Sequence, residues 1–147
     1  LVRIHSQCIT GDILDSLKCD CGSQLKKSIE MMANDGGLLL YMPEEGRNIG
    51  LLNKLRAYEF QFHNIDTIDA NYALGFDADQ RRHENACELL KLLGVNSIKL
   101  ITNNPEKISQ IQKSGINVIE SVQIKVKVPA EAKKYLETKK IRSGHNL

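Results

Sequence analysis

The sequence predicts an α/β fold, a single layered domain with a mixed or largely parallel sheet flanked by helices. Segments with helical spacing alternate with short apolar segments of strand length through the middle of the chain. Its 147 residues suit one compact domain, and 41% of them are hydrophobic, which is enough for a core without disulfide bonds. No repeat, low-complexity segment or linker divides the sequence, so we expect one domain over residues 1–147.

Two helices and one strand are predicted in the first half of the chain. Apolar residues recur at helical spacing in residues 24–34, where the sequence NDGG ends the helix, and again in residues 49–63. Between them the run GLLLYM is short and apolar, which indicates a buried strand. The second helix is expected to carry an apolar stripe. Its members are Leu51, Leu55, Tyr58 and Phe62.

Two strands and three helices are predicted in the second half. The strands are VNSIKLIT and INVIESVQIKV. The first helix is predicted in HENACELLKLLG and ends at Gly94. The second is predicted in NPEKISQIQKSG, where an Asn–Pro pair marks the start. The third is predicted in PAEAKKYLETKK and is mostly polar. The polar loops PEEGRNIG and ITNNPEK directly follow predicted strands. Sites in open α/β sheets gather beyond strand ends, so we expect these loops to lie near one another.

The composition argues against a membrane protein and against a nucleic-acid-binding protein. The longest uncharged apolar run, GLLLYMP, is far too short to cross a bilayer, and no secretory signal opens the sequence. A net charge of +2 and 5% aromatic residues provide neither a basic face nor stacking platforms for nucleic acid. Four cysteines without a secretory signal indicate a reducing compartment, and we expect the protein in the cytoplasm.

Three of the four cysteines lie close together in sequence and predict a metal site. Cys8, Cys19 and Cys21 offer the soft thiolate ligands that Zn²⁺ prefers, and the last two are too close in sequence to bridge each other easily. Three thiolates leave one tetrahedral position open, which is typical of catalytic zinc. Spacing alone leaves two alternatives: a structural zinc with His5 as fourth ligand, and cysteines without a metal. Cys87 is interpreted as a buried side chain on an apolar helical face.

Five blocks of sequence, in a fixed order, carry a family resemblance. They are RIHSQCITGDILDSLKCDCGSQL, EEGRNIGLLNKLRAY, LGFDADQR, LLGVNSIKLITNNPEK and YLETKKIRSGH. Together they resemble GTP cyclohydrolase II, an enzyme at the head of riboflavin biosynthesis. The resemblance implies that GTP is hydrolysed twice, with loss of formate from the imidazole ring and of pyrophosphate from the triphosphate. It further implies the product 2,5-diamino-6-ribosylamino-pyrimidinone 5′-phosphate, one Zn²⁺ per subunit, Mg²⁺ with the triphosphate, and a homodimer.

The resemblance also assigns roles to individual residues. The family's zinc ligands match Cys8, Cys19 and Cys21. Its proposed general base and nucleophile match Asp79 and Arg81, and its third catalytic residue, near the zinc, matches Tyr58. Its GTP contacts match Arg3, Ile4, His5, Ser6, Gln7, Gln24, Glu45, Gly46, Arg47, Thr67, Thr102 and Lys107.

The side chains suit a nucleotide. A carboxylate at Glu45 can accept hydrogen bonds from the N1–H and 2-amino groups of guanine, and the planar fork of Arg47 fits phosphate oxygens. Within the same set, Arg3 is expected to meet phosphate and Lys107 the guanine carbonyl.

Electrostatic or structural roles are alternatives for the residues that match the family's catalytic residues. An arginine with a pKa above about 12 is a poor nucleophile, so Arg81 is expected to offset charge on the phosphoryl group. Asp79 also suits a helix N-cap ahead of QRRHENACELL, and Tyr58 suits a core position with its hydroxyl at the boundary.

The sequence departs from the family pattern at three points. Gln7 stands where many members carry glutamate, and Arg82 and His83 replace an acidic–aromatic pair. Several dozen residues that normally precede RIHS are absent, so the N-terminal portion of the family domain is expected to be missing. These departures keep a second hypothesis open: a non-catalytic GTP-binding regulatory module with a structural zinc.

Overall fold

The computed structural model describes residues 1–63, 65–127 and 130–144. Its strands are β1 (Val2–Ser6), β2 (Leu38–Met42), β3 (Ser97–Ile101) and β4 (Asn117–Val122). Its helices are α1 (Ile9–Asp12), α2 (Cys21–Ala33), α3 (Glu45–Asn48), α4 (Gly50–Phe62), α5 (Thr67–Ala73), α6 (Glu84–Leu92), α7 (Pro105–Lys113) and α8 (Lys133–Ser143), the last preceded by a 3₁₀ turn at Ala130–Ala132. The α/β class predicted from the sequence is confirmed.

The four strands form one sheet in the order β2–β1–β3–β4, and every pair is parallel. Of the two alternatives predicted, the parallel sheet is therefore confirmed and the mixed sheet is wrong. Each connection between consecutive strands contains at least one helix, which returns the chain to the starting edge, so the next strand runs in the same direction. All four strands consequently end at one edge of the sheet. Pairing continues slightly beyond two of them, since the Gln7 amide donates to the Met42 carbonyl and the Thr102 amide to Val122.

The central strand β1 is the main element that the sequence patterns did not reveal. Its five residues include Arg3 and His5, which have no strand preference, but both are buried along with Val2 and Ile4. A parallel strand that is covered on both faces lacks the alternation of polar and apolar residues by which a strand is predicted. The short helices α1 and α5 were also missed. The strand-like run INVIESVQIKV forms β4 only as far as Val122.

The predicted helix boundaries agree with the local capping chemistry. Asn104 caps α7 by accepting the Glu106 amide at 3.0 Å, and Pro105 occupies the first helical position. Gly94 has a φ of +73° just after α6, a conformation that only glycine adopts without strain. Residue 129, in the sequence PAEAKKYLETKK that predicts the last helix, lies outside the described residues.

The core lies between the sheet and the helices α6 and α7. Its fully buried members are Ile4, Ala86, Cys87, Leu90, Ile98, Leu100, Ile111 and Ile116. The burial predicted for Cys87 is thereby confirmed. Helix α4 behaves differently: it buries Ala57, while Leu55 and Phe62 of its predicted stripe are exposed, Phe62 to 82%. Within the described ranges, no helix has both the length and the apolar composition needed to cross a bilayer.

Candidate functional site

The residues predicted to form a site gather at the edge where the parallel strands end. They line two adjoining cavities, and every predicted site residue lines at least one of them. We call the cavity around the three cysteines the sulfur end, and the cavity around Arg3 and Lys107 the cationic end. The two ends form one cleft, because four residues line both cavities: Ser6, Cys21, Arg47 and Arg81. The expected proximity of the two polar loops is also confirmed, since Arg47 and Thr102 line the cationic end together.

Three thiols converge at the sulfur end. Cys8 follows β1, whereas Cys19 and Cys21 lie at the start of α2. Their Sγ atoms all lie within 4.8 Å of one another, and the Cys8 and Cys19 sulfurs are 3.7 Å apart. Tetrahedral zinc with Zn–S bonds of about 2.3 Å requires sulfurs about 3.8 Å apart, and all four cysteines are free thiols. The donor set and spacing therefore fit a zinc ion with one position left for water or substrate.

Two glycines allow this convergence. A Cβ atom on Gly11 would lie 2.9 Å from the Cys19 sulfur and 3.1 Å from the Cys8 sulfur. A Cβ atom on Gly22 would lie 2.1 Å from the Gly11 carbonyl oxygen. Such contacts are too short for real side chains, so larger residues here would separate α1 from α2. The backbone of Gly11 thus forms one wall of the metal site.

A buried carboxylate that the sequence reasoning missed holds Cys8 in place. The side chain of Asp12 accepts the Cys8 amide at 2.9 Å and the Tyr41 hydroxyl at 2.9 Å. The His5 Nε2 atom lies 3.1 Å from both of its oxygens, and the imidazole stacks on Tyr41. In the described part of the chain, the cluster of ligand atoms contains the three cysteines but not His5. The structure therefore gives no support to His5 as a fourth ligand.

Helix α4 brings two side chains to the sulfur end. Lys54, also missed from the sequence, donates to the Cys8 sulfur at 3.1 Å, to Thr10 Oγ1 at 2.8 Å and to Glu45 Oε1 at 2.7 Å. The Tyr58 hydroxyl, one turn later, lies 3.2 Å from Thr10 Oγ1. The four-residue spacing of a lysine and a tyrosine on one helical face was the available sequence signal.

The charges at the sulfur end stabilise one another. Hydrogen bonds with Cys19 and Cys21, together with the charge of Lys54, hold the pKa of the Cys8 thiol far below its usual range despite burial. Burial alone would lower the pKa of Lys54, but Glu45 and the Cys8 thiolate raise it above the ordinary lysine value. Burial raises the pKa of Tyr58, which stays protonated at neutral pH. The cluster therefore contains a thiolate and an ammonium group.

The loop predicted to bind nucleotide is a left-handed turn. Gly46, Arg47 and Asn48 have φ values of +63°, +61° and +69°. The Glu45 carboxylate is buried and accepts the Ile9 amide at 2.6 Å as well as Lys54. The Arg47 guanidinium donates to the Ala78 carbonyl at 3.0 Å. Consecutive left-handed residues are costly, which is typical of backbone held for function.

The cationic end contains two buried cations from different elements. Arg3 donates to the Ile101 carbonyl at 3.1 Å and to the Gln24 side-chain oxygen at 2.8 Å. Lys107 donates to the Ile4 carbonyl at 3.0 Å. Burial lowers the pKa of Arg3 to about 10, and burial with the charges of Arg81 and Arg3 lowers that of Lys107 well below its ordinary value. A ligand anion bound here would relieve this repulsion.

Asp79 and Arg81 form an ion pair on the wall of the cleft. The Arg81 Nε atom donates to Asp79 Oδ1 at 2.8 Å, its Nη2 atom donates to Oδ2, and its backbone amide donates to Oδ1 at 3.0 Å. Burial opposes ionisation of the carboxyl, but the bonds and charge of Arg81 outweigh it and lower the pKa of Asp79. The alternative role of Asp79 as a helix N-cap is wrong, because α6 begins at Glu84, after His83.

One of the departures from the family pattern is deeply buried. The side chain of His83 is only 4% exposed, and its Nδ1 atom has no hydrogen-bond partner among the described residues. Burial, followed by the charges of Lys107 and Arg81, lowers its pKa from 6.5 to about 3. The imidazole is therefore neutral beneath the cationic end.

Comparisons with known proteins match this chain over most of its length. The family model for GTP cyclohydrolase II matches residues 1–123. GTP cyclohydrolase-2 of Haemophilus influenzae strain PittEE is 51% identical over 148 positions, which cover 100% of this chain and 68% of that protein. GTP cyclohydrolase-2 of Pasteurella multocida is 50% identical over 146 positions, which cover 99% and 67%. Riboflavin biosynthesis protein RibBA of Staphylococcus saprophyticus is 47% identical over 144 positions, which cover 98% and 37%.

Proposed function

Because the chain belongs to the GTP cyclohydrolase II family, a family of enzymes, we propose that it hydrolyses GTP in riboflavin biosynthesis. The reaction opens the imidazole ring of guanine with release of formate. It also cleaves the α–β phosphoanhydride with release of pyrophosphate, which leaves 2,5-diamino-6-ribosylamino-pyrimidinone 5′-phosphate. The observation that carries the proposal is the single cleft that joins three converging thiols to a group of buried cations.

Ring opening belongs to the sulfur end in this proposal. Cys8, Cys19 and Cys21 would hold one Zn²⁺ per subunit, and a zinc ion bound there would supply Lewis-acid activation of a water molecule for hydrolysis at the C8 carbon. Tyr58 lies within the same cavity with a protonated hydroxyl, which suits it to donate a hydrogen bond to a ring nitrogen as the C–N bond breaks. The protein thereby supplies a proton donor in the cavity that the three thiols also line.

Recognition of guanine is proposed for the Glu45 turn. The carboxylate accepts the N1–H and 2-amino groups of the base, for which it must exchange one of its present donors, such as the Gly46 amide at 3.0 Å. Further contacts with the nucleotide are proposed for Ile4, His5, Ser6, Gln7, Gln24, Gly46, Thr67 and Thr102, all of which line the cleft. The charges of Arg81 and Arg3 both lower the pKa of Lys107, which favours an anion over the guanine carbonyl as its partner.

Cleavage of the triphosphate is proposed for the cationic end, with Mg²⁺ bound to the triphosphate as part of the substrate. Arg81 is held in a fixed orientation by Asp79, so its guanidinium offsets charge on the phosphoryl group without reorganisation. A carboxylate with a lowered pKa is a weak base, so orientation of Arg81 is the better supported role for Asp79. Arg3 and Arg47 supply further guanidinium groups to the phosphates.

A homodimer is part of the proposal. The exposed apolar side chains on α4, Leu52, Leu55 and Phe62, support it, because single chains rarely leave such a group on one helix in water. We also propose that residues 1–147 act as one catalytic domain and that the enzyme works in the cytoplasm.

The proposal is tested by incubating the protein with GTP, Zn²⁺ and Mg²⁺ and measuring formate and pyrophosphate separately. Release of both products is expected. A folded, zinc-loaded protein that releases neither would contradict the proposal, and saturable GTP binding without turnover would instead identify a regulatory module.

A further inference from the structure

The ammonium group of Lys54 is enclosed by the metal site and is held in one orientation. An ammonium group has three N–H donors, and Lys54 has three acceptors: the Cys8 sulfur, Thr10 Oγ1 and Glu45 Oε1. Only 11% of the side chain is exposed. The lysines Lys26, Lys27 and Lys99, in contrast, pair with carboxylates at the surface. A fixed, dry charge acts on its neighbours far more strongly than a solvated one.

The acceptor of greatest consequence is the Cys8 sulfur. A metal held by three thiolates receives much electron density from its ligands, which weakens its ability to acidify water. A hydrogen bond from a cation to a ligand sulfur stabilises the sulfur electrons and reduces that donation. Groups that contact ligands in this way commonly change the affinity or activity of a metal site.

We infer that Lys54 is a positioning residue of the metal site, which acts by holding its charge against the Cys8 thiolate and so keeps the bound metal electrophilic. The inference rests on the metal-binding part of the proposed function. Glu45 and Thr10 fix the ammonium group at the sulfur, and the same Thr10 hydroxyl contacts Tyr58, so one lysine orders both the ligand and the proposed proton donor.

The inference is tested by absorption spectroscopy of the full chain loaded with Co²⁺, whose bonds to thiolate give sulfur-to-metal charge-transfer bands. Lys54→Met removes the charge and the donors at similar length, and Lys54→Arg keeps both. Lys99→Met removes the same charge from a surface pair with Glu120 and is the matched control.

We expect the charge-transfer band of Lys54→Met to move to longer wavelength, because the Cys8 sulfur then gives up its electrons more easily. The band should stay in place in Lys99→Met and return toward its original position in Lys54→Arg. With zinc, kcat for formate release from Lys54→Met should fall about 10- to 100-fold with little change in KM.

A Lys54→Met protein that binds Co²⁺ with an unmoved band would overturn the inference and leave the proposed function intact. If Lys54→Met does not fold, Lys54→Gln supplies the same test, because it places a neutral polar group in the polar pocket of Lys54 and removes the positive charge. An unmoved band in that variant also overturns the inference. Failure of the unaltered protein to bind Co²⁺ or Zn²⁺ would refute the metal site itself.

Discussion

The two ends of the cleft differ in how their charges are balanced. At the sulfur end, anions and cations alternate: the Cys8 thiolate, Lys54 and Glu45 form a chain of contacts near 3 Å. At the cationic end, Arg3 and Lys107 are buried against neutral oxygens, and the pKa of each is lowered. The charges at the sulfur end are therefore paired within the protein, whereas Arg3 and Lys107 donate to uncharged oxygens, so a bound anion would stabilise their charges. This difference agrees with the proposal that the sulfur end acts on the guanine base and that the cationic end acts on the phosphates.

The largest expected effect on activity comes from removing a thiol at the sulfur end alone. Cys19→Ser removes a thiolate ligand, so formate release should fall about a thousandfold or more while part of the pyrophosphate release survives. Formate and pyrophosphate are measured from the same reaction. Cys87→Ala, which removes a sulfur from the core instead, should keep both activities in the folded protein. Equal loss of both products in Cys19→Ser would mean that the two ends do not act separately.

A second variant removes a charged group that is assigned to the cationic end. Arg81→Ala removes the guanidinium that Asp79 orients, and pyrophosphate release should fall about 100- to 1000-fold. The neighbouring Arg82→Ala is the matched control and should retain activity near that of the unaltered enzyme. Product assays with GTP compare the two. If Arg82→Ala is the more damaging change, the catalytic arginine has been misassigned.

The unbalanced charge at the cationic end predicts stabilisation by an anion without any metal. Pyrophosphate at about 100 times its dissociation constant should raise the free energy of unfolding by about 2.7 kcal/mol. Lys107→Met should lose most of this gain, because it removes one of the buried cations. Thermal unfolding with and without pyrophosphate measures the effect. A gain that is unchanged in Lys107→Met would place the anion elsewhere.

The smallest effect concerns His83 beneath the cationic end. Its pKa is lowered from 6.5 to about 3, so between these values the unfolded chain binds more protons than the folded one, and the free energy of unfolding falls as the pH is lowered. The expected loss from this residue is about 1 kcal/mol between pH 7 and 5.5. His83→Leu should flatten the curve measured by denaturant unfolding. The exposed His63→Leu is the matched control for loss of an imidazole, and an equal flattening there would contradict the assignment to His83.

Sequence patterns predicted the helices and strands that have an apolar periodicity or a distinct cap. The Asn104–Pro105 start of α7 and the strand β2 are examples. The burial predicted for β2 is wrong, because β2 lies at the edge of the sheet and leaves Leu39 36% and Tyr41 42% exposed. The same sequence patterns failed to predict β1, because its buried Arg3 and His5 are covered by the site rather than by an apolar layer. They also failed to show the parallel direction of every strand pair, which depends on how each connection crosses the sheet.

Some residues of the candidate site could likewise be predicted from the sequence, whereas others were found only in the structure. The spacing of Cys8, Cys19 and Cys21 was enough to predict a thiolate metal site, because a short segment can bring its own ligands together. Lys54 contacts Cys8 from the remote helix α4, and Asp12 contacts it from the end of α1, which Cys8 itself precedes. Each resembles an ordinary surface charge in the sequence.

The sequence by itself determined the chemical identity of the candidate metal ligands, the family resemblance and those helices and strands that have an apolar periodicity or a distinct cap, since all of these depend on residue type and local spacing. Only the tertiary structure decided which charges are paired and which are left unbalanced, because burial and distance between remote segments set the strength of an electrostatic interaction.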